Sequence, residues 1–228
     1  MEMQGTVAIV TGGAGVVGSA VARKLLDEGA TVVIADCSLR KPTEQRLSYV
    51  ETDVTSEESV QSMVARVVAD QGAVHALFNI AGGFRYGPAI EDLEVADWDS
   101  MINLNLKSTF LCMKHVLPLM KKQRYGRIVS VAARSGLKGD PMVAPYAVSK
   151  GGVILLTQTA AEESKAYGVT VNAVLPSVVD TPTNRASMPD ADFDAWVAAS
   201  DLAEVMIFLA SERARAVTGA ALPVYHKA

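Results

Sequence analysis

The chain has 228 residues, of which 50% are hydrophobic and 20% charged, so it is long enough to bury one large core. Its formal net charge is -4 and no cluster of basic residues is longer than two, so we expect no binding to nucleic acid or to an anionic membrane surface. The first residues carry no basic segment and only a short apolar run, which predicts a cytoplasmic protein without a secretory signal. These features favour chemistry on a small molecule.

The two cysteines, Cys37 and Cys112, are too few for a disulfide framework, and no Cys/His spacing resembles a metal site. We interpret both as reduced packing residues and predict no metal.

Short β-branched apolar runs alternate with longer segments of helical period along the whole chain. This pattern predicts an α/β fold, a single doubly wound Rossmann domain over residues 1–228 with a mostly parallel seven-stranded sheet and helices on both faces. The predicted strands are residues 6–11, 31–35, 47–51, 76–80, 127–131, 170–175 and 221–224. The predicted helices are residues 17–28, 57–71, 98–122, 146–167 and 202–211.

Two helix starts carry plausible capping boxes, Thr55 with Glu58 and Asp201 with Glu204. Residues 181–200 differ from the rest of the chain, because they are rich in Pro, Asp and Met without clear periodicity and follow a predicted strand. In parallel α/β sheets such segments contact ligands, so we predict a substrate lid here.

The first predicted strand leads into a glycine-rich turn, residues 11–18 (TGGAGVVG), directly before a helix. Gly12 permits a tight turn, Gly15 lets the backbone approach a pyrophosphate, and Gly18 lets the helix pack on the strand. The helix begins at Val17, and its N-terminus attracts an anion. The turn therefore predicts a dinucleotide site that includes these four residues.

Asp36 ends the second predicted strand, some twenty residues beyond the glycines. A carboxylate there can accept hydrogen bonds from both adenosine ribose hydroxyls and would repel a 2′-phosphate. Arg40 raises the rival possibility of phosphate binding, but it lies in a loop. The pattern therefore favours NAD over NADP.

Tyr146 and Lys150 lie four residues apart at the start of a predicted helix, so their side chains share one face. An adjacent ammonium stabilises a phenolate and is expected to lower the phenol pKa from about 10 towards neutrality. The pair therefore predicts a general acid/base.

Several motifs stand in one order along the whole chain: the turn at residues 11–18, Asp53 and Val54, residues 79–82 (NIAG), Asn105, Tyr146 with Lys150, and residues 176–181. Together they resemble the short-chain dehydrogenases/reductases. The resemblance implies an NAD(H)-dependent oxidoreductase in which Tyr146 is the acid/base, Lys150 binds ribose and tunes Tyr146, and Asn105 supports a water in the proton relay. It also implies cofactor contacts from Asp53, Val54, Asn79, Ala81, Gly82, Tyr146, Pro176, Val179 and Thr181.

Three positions depart from the common family pattern. The turn reads TGxxGxxG, for which we expect a slightly shifted but functional turn, and Ser177 follows Pro176 where glycine is usual. The substrate-orienting serine expected thirteen residues before the tyrosine is Ala133. Either Ser130, Ser135 or water replaces that hydroxyl, or the reaction does not need it.

The lid and the segment at residues 81–84 (AGGF) are similar to those of the dihydropteridine reductase branch. The sequence thus predicts hydride transfer to or from a small, cyclic carbonyl, alcohol or quinonoid pterin-like substrate. The alternative is a catalytically impaired NAD-binding redox sensor, which Ala133 motivates. The resemblance also implies a homodimer or homotetramer formed through the helices at 98–122 and 146–167.

Overall fold

Seven parallel strands form one central sheet. The fold is taken from a computed structural model, and the structure describes residues 2–38 and 41–227. The strands are β1 (Val7–Thr11), β2 (Thr31–Asp36), β3 (Leu47–Glu51), β4 (Ala76–Asn79), β5 (Gly126–Val131), β6 (Val169–Pro176) and β7 (Ala221–Val224). Their spatial order is β3-β2-β1-β4-β5-β6-β7. The expected doubly wound α/β fold is confirmed, and the sheet is parallel throughout.

Helices cover both faces of this sheet. They are α1 (Val16–Asp27), α2 (Glu57–Gln71), α3 (Val95–Ile102), α4 (Ser108–Gln123), α5 (Ala144–Ser164), α6 (Pro182–Ser187) and α7 (Ala199–Ala210). A π-helical turn, Asn103–Lys107, joins α3 to α4. Short 3₁₀ turns follow several strands and helices, including Arg134–Gly136 before α5 and Phe193–Ala195 after α6.

Alternation along the strands divides the core into two layers. In β1, Ala8 and Val10 pack in the layer that contains α1 and α7, whereas Ile9 packs in the layer that contains α2 and α4. Because successive side chains of a strand point to opposite faces, a strand buried on both sides needs apolar residues at every position. This explains the continuous apolar runs in the sequence.

The chain order reverses between β1 and β4, which are neighbours in the sheet. The connections from these strands leave on opposite faces, so a crevice opens at their carboxyl ends. The glycine-rich turn lies at one side of this crevice, because it follows β1.

Two local predictions are wrong. The cap of α2 is Ser56, whose hydroxyl accepts from Ser59 N, while Thr55 bonds to Asp53 instead of closing a box with Glu58. Helix α7 begins at Ala199 without a side-chain cap, so Asp201 lies inside its first turn. None of the described helices is long and apolar enough to cross a membrane.

Candidate active site

A cleft of about 460 Å³ opens at the carboxyl ends of the strands. The residues predicted from the sequence that line it are Gly12, Gly15, Val17, Gly18, Asp36, Val54, Ala81, Gly82, Val179 and Thr181. These residues come from five separate loops, and the topology of the sheet brings them to one edge. The cleft therefore joins the glycine-rich turn to the start of the lid.

The glycine-rich turn is compact, and two of its positions leave no room for a Cβ atom. Gly12 has a φ of +66°, and a Cβ there would lie 2.8 Å from the Cα of Ala81. A Cβ on Gly18 would lie 2.2 Å from the carbonyl oxygen of Gly12, so only glycine lets α1 pack this closely on the turn. Gly15 is the N-cap of α1 and faces the cleft. The first amides of an α-helix lack partners within the helix, which suits this end to a phosphate group.

Asp36 lies at the edge of the cleft, at the end of β2. Its Oδ2 accepts from the amide of Ala14 at 3.0 Å, and its Oδ1 accepts from the amide of Ser38 at 2.9 Å. These bonds fix the carboxylate beside the glycine-rich turn. Arg40, the rival for a ribose phosphate, lies outside the described residues.

The segment after β3 brings Val54 to the cleft, together with Thr52. Asp53 is exposed and is not in the lining. Its Oδ1 accepts from the amide of Thr55 at 2.9 Å and from the Thr55 hydroxyl at 2.7 Å, which holds the pKa of Asp53 below its usual value. The structure thus places Asp53 as a turn-forming residue next to the cleft.

Tyr146 and Lys150 lie in the first turns of α5, with the Lys150 Nζ 5.9 Å from the centre of the Tyr146 ring. Lys150 is buried, and its Nζ donates to the carbonyl oxygen of Val131 at 2.8 Å. Burial lowers the pKa of Lys150 to about 8 and raises the pKa of Tyr146 to about 12. The expected fall of the phenol pKa towards neutrality is therefore wrong for this structure, because burial of the phenol disfavours its charged form.

Asn105 ties the loop after β4 to α5. It lies in the π-helical turn, a feature often found at functional sites. Its Oδ1 accepts from the amide of Gly83 at 2.8 Å, and its Nδ2 donates to the Gly83 carbonyl at 3.0 Å and to the Ser149 hydroxyl at 3.1 Å. Ser149 in turn donates to the carbonyl oxygen of Tyr146 at 2.7 Å. The Asn105 side chain thus holds the loop and α5 in register.

An aromatic wall, formed by Phe84 and Tyr86, stands beside Tyr146. The rings of Phe84 and Tyr146 meet edge to face, with centres 4.8 Å apart and an interplanar angle of 86°. Tyr86 packs on Phe84 in the same manner at 4.8 Å. About half of Phe84 is exposed, so a molecule that reaches Tyr146 passes an apolar surface.

Asn79 and Pro176 are not in the lining of the cleft, and neither are Tyr146 and Lys150. Asn79 is buried at the end of β4, where its Nδ2 donates to the Ser130 hydroxyl at 3.0 Å and its Oδ1 is without a hydrogen-bond partner. Pro176 is buried at the end of β6, paired with Val224 of β7. Within residues 2–38 and 41–227, no group of three or more His, Cys, Asp or Glu is placed to hold a metal ion.

A family model described as short chain dehydrogenase matches residues 6–192 of the chain. This chain belongs to the short-chain dehydrogenase/reductase family. Cis-4-hydroxycyclohexanecarboxylate dehydrogenase of Sinomonas cyclohexanicum is 37% identical over 236 residues, covering 96% of this chain and 94% of that relative. A 3-oxoacyl-[acyl-carrier-protein] reductase of Thermotoga maritima is 34% identical over 237 residues, covering 96% of each chain.

The solved structures similar to this chain also include a dehydrogenase and a reductase. The crystal structure of NAD⁺-bound xylitol dehydrogenase has a TM-score of 0.89 and 29% identity, covering 99% of this chain and 100% of that one. Levodione reductase has a TM-score of 0.91 and 27% identity, covering 98% and 97%. The protein is thus an oxidoreductase of the short-chain dehydrogenase/reductase family.

The cleft of this short-chain dehydrogenase/reductase fits a nicotinamide dinucleotide. Gly12 and Gly18 make the turn compact, and Gly15, the N-cap of α1, lines the cleft. Asp36 and Thr181 also line it. A dinucleotide is an elongated anion, and this lining offers it the positive end of a helix together with polar side chains.

Ala133 is buried at the start of the Arg134–Gly136 turn, two residues after the carbonyl that Lys150 contacts. Of the possible replacements for a serine here, Ser130 is completely buried in β5 and its hydroxyl accepts from Asn79. Ser135 lies in the turn itself and is partly exposed. The geometry therefore disfavours Ser130 as the missing donor.

Sequence reasoning missed nine residues of the cleft lining: Val16, Ala35, Cys37, Thr52, Ile80, Leu104, Val131, Thr183 and Leu202. Most of them adjoin a predicted residue at a strand end, and that adjacency was the available signal. Cys37 is a free thiol, as expected, but it is exposed and its Sγ donates to the Thr52 carbonyl at 3.3 Å, so its interpretation as a packing residue is wrong. Cys112 is buried as expected.

Proposed function

We propose that this protein is an NAD(H)-dependent oxidoreductase that interconverts a small cyclic ketone and its alcohol, with Tyr146 as the general acid/base. The observation that carries the proposal is the Tyr146/Lys150 pair on α5, because Lys150 donates to the carbonyl of Val131, which lines the same cleft as Gly15 and Asp36. Membership of the short-chain dehydrogenase/reductase family agrees with this chemistry.

The preference for NAD(H) rests on Asp36. Asp36 lines the cleft at the end of β2, so its carboxylate can accept from ribose hydroxyls there and would repel a 2′-phosphate. The solved neighbour xylitol dehydrogenase has NAD⁺ bound. We expect NADH to bind at least tenfold more tightly than NADPH, about 1.4 kcal/mol.

In this proposal, NAD(H), when bound, supplies or accepts the hydride. Tyr146 donates its phenolic proton to the substrate oxygen during reduction, and the raised phenol pKa keeps that proton in place at neutral pH. While the Lys150 amine is protonated, its positive charge lies 5.9 Å from the centre of the Tyr146 ring. Asn105 keeps the Gly83 loop against α5, and in our proposal it also supports a water that returns the proton to Tyr146.

The substrate class follows from the surroundings of Tyr146. The aromatic wall of Phe84 and Tyr86 favours an apolar ring, and two relatives are named for cyclic compounds, cis-4-hydroxycyclohexanecarboxylate and levodione. A quinonoid pterin-like substrate is the second candidate. Ala133 favours it, because electrons that enter a delocalised ring need no hydroxyl donor at one oxygen. The redox-sensor alternative is not favoured, since the named relatives are dehydrogenases and reductases.

We further propose a cytoplasmic homodimer or homotetramer that associates through α4 and α5. These helices expose apolar side chains, with Leu155 66% and Phe110 45% exposed. Ile154, by contrast, is buried in the protomer, so the run at residues 154–156 serves the core as well as this surface. Sedimentation at micromolar concentration tests the assembly, and a monomer would contradict it.

Titration of the purified protein with NADH and with NADPH, followed by cofactor fluorescence, tests the cofactor. Initial rates of NADH oxidation with a panel of cyclic ketones and quinonoid dihydropterin then test the substrate class. We expect tight NADH binding and measurable turnover of at least one cyclic substrate. Equal affinity for both cofactors would contradict the role of Asp36, and absence of NADH binding would contradict the whole proposal.

A further inference from the structure

The lid is tied down at its two ends by backbone hydrogen bonds. The amide of Val197 donates to the carbonyl of Val178 at 2.9 Å, and the amide of Asp180 donates to the carbonyl of Val197 at 2.8 Å. Val197 itself is buried in the core layer of α1 and α7. The segment between these anchors begins with Thr181 and α6 and returns through the Phe193–Ala195 turn.

Arg185 connects the beginning of the lid to its end. Its Nε and Nη2 donate to Oδ1 and Oδ2 of Asp180 at 2.6 and 2.7 Å, a two-pronged ion pair. Its guanidinium carbon lies 4.7 Å from the centre of the Phe193 ring, and Phe193 packs on the buried Trp196 with ring centres 4.8 Å apart. One side chain therefore contacts both the residue before α6 and the turn after it.

Helix α6 needs such support. It has six residues, too few for a helix to be stable by itself in water. Its N-cap is Thr181, whose hydroxyl accepts from the amide of Asn184 at 3.1 Å, and Asn184 Nδ2 donates to the carbonyl of Val179 at 2.7 Å. Thr181 and Thr183, on this same turn, line the cofactor cleft. Contacts that fix α6 thus fix the two threonines.

We infer that Arg185 is a positioning residue, which acts through Asp180 and Phe193 to hold Thr181 and Thr183 against the cofactor. This inference rests on the proposed function, because it requires the cleft to bind NAD(H). An exposed ion pair alone contributes little to stability. Arg185 differs in combining a two-pronged pair, which adds geometric specificity, with a contact to an aromatic face.

The chain offers a matched control for this arrangement. Arg213 also combines an ion pair with an aromatic contact, since its Nη1 lies 3.0 Å from Glu2 Oε1 and its guanidinium carbon lies 5.6 Å from the centre of the Phe208 ring. Neither Arg213 nor these partners lines the cleft. Arg213→Met therefore removes contacts of the same type at a place where no effect on the cofactor is expected.

The first test is NADH affinity, measured by cofactor fluorescence on the full chain. We expect Arg185→Met to raise the Kd of NADH about tenfold, and Arg213→Met to leave it within about twofold. Arg185→Lys keeps the charge but loses the two-pronged bond, so a rise of about threefold is expected. In turnover assays the Arg185 variants should raise the KM for NADH more than they lower kcat.

The second test needs no cofactor. In a Trp98→Phe background, Trp196 is the remaining tryptophan, and acrylamide quenching of its fluorescence reports access to the end of the lid. Arg185→Met should increase this quenching at least twofold, and Arg213→Met should not. The exchanged pair Asp180→Arg with Arg185→Asp should recover part of the NADH affinity, because it restores the ion pair but not the contact with Phe193.

The outcomes separate the two proposals. If the unmodified protein does not bind NADH, the proposed function fails. If it binds NADH and Arg185→Met binds equally well, the positioning role of Arg185 is wrong. Equal losses in Arg185→Met and Arg213→Met would also overturn it, because they would reflect a general loss of stability.

Discussion

Replacement of Ala133 by serine separates the two substrate classes by their chemistry. Ala133 is 5% exposed, and its carbonyl accepts from the amide of Gly136 at 3.0 Å, which shapes the turn before α5. Two residues earlier, the carbonyl of Val131 contacts Lys150. Ala133→Ser therefore restores a hydroxyl at the position where the resemblance to the family implies a serine.

The expected change in kcat/KM depends on the negative charge that the added hydroxyl would stabilise. In ketone reduction, negative charge collects on one oxygen, and loss of one positioned donor typically costs about 3 kcal/mol of transition-state stabilisation, roughly a hundredfold in rate. Because the surroundings of Ala133 accommodate a methyl group, we expect Ala133→Ser to recover part of this, about tenfold in kcat/KM for a cyclic ketone. In a quinonoid ring the charge spreads over several atoms, so no gain is expected. A buried hydroxyl without a partner would also cost about 1–3 kcal/mol of stability.

The assay compares kcat/KM for NADH-dependent reduction of a cyclic ketone and of quinonoid dihydropterin. Ala132→Ser is the matched control, because it adds the same hydroxyl one residue earlier, where Ala132 packs with Val153 and Leu175 in the apolar cluster between α5 and β6. Thermal unfolding of both variants accounts for changes in stability. No gain on the ketone would indicate that Ser135 or water already fills the role. A gain on both substrates would contradict the expectation that only a localised oxyanion benefits from the added hydroxyl.

Two further predictions concern the cofactor and pH. Asp36→Ala should narrow the difference in Kd between NADH and NADPH, because it removes both the ribose acceptor and the charge that repels a 2′-phosphate. An unchanged ratio of the two Kd values would show that the carboxylate only accepts from the amides of Ala14 and Ser38. Ketone reduction should fall as pH rises through about 8, where Lys150 loses its proton, and Lys150→Met should remove this step. Alcohol oxidation needs the phenolate, so below the Tyr146 pKa of about 12 its rate should rise with pH, and a flat profile would contradict Tyr146 as the base.

The sequence predicted the strands and the edge where the site forms, because each apolar run is buried on both faces and each motif residue follows such a run. Val54, Ala81 and Thr181 reach one cleft for this topological reason. The sequence did not show which of two neighbouring residues of similar capping ability forms a helix cap. Ser56 and Thr55 are both good caps, and only the turn made by Asp53 decides between them.

The pKa values of Tyr146 and Lys150 also depend on packing. Spacing placed Tyr146 and Lys150 on one face, but burial sets their pKa values, and residues distant in sequence, such as Phe84 and Val131, surround them. The helical turn α6 had a signal in Thr181 followed by Pro182, a cap and a first-turn proline. That signal spans only two residues, and it does not reveal the contacts of Arg185 that support α6.

In the proposed reaction, Tyr146 transfers the proton that accompanies hydride transfer. The most direct measurement is a single turnover of protein-bound NADH with a cyclic substrate, followed by absorbance, in the unmodified protein and in Tyr146→Phe. We expect the phenylalanine variant to bind NADH with unchanged Kd and to oxidise it about 10²–10⁴-fold more slowly. An undiminished rate in Tyr146→Phe, with NADH bound, would contradict the account.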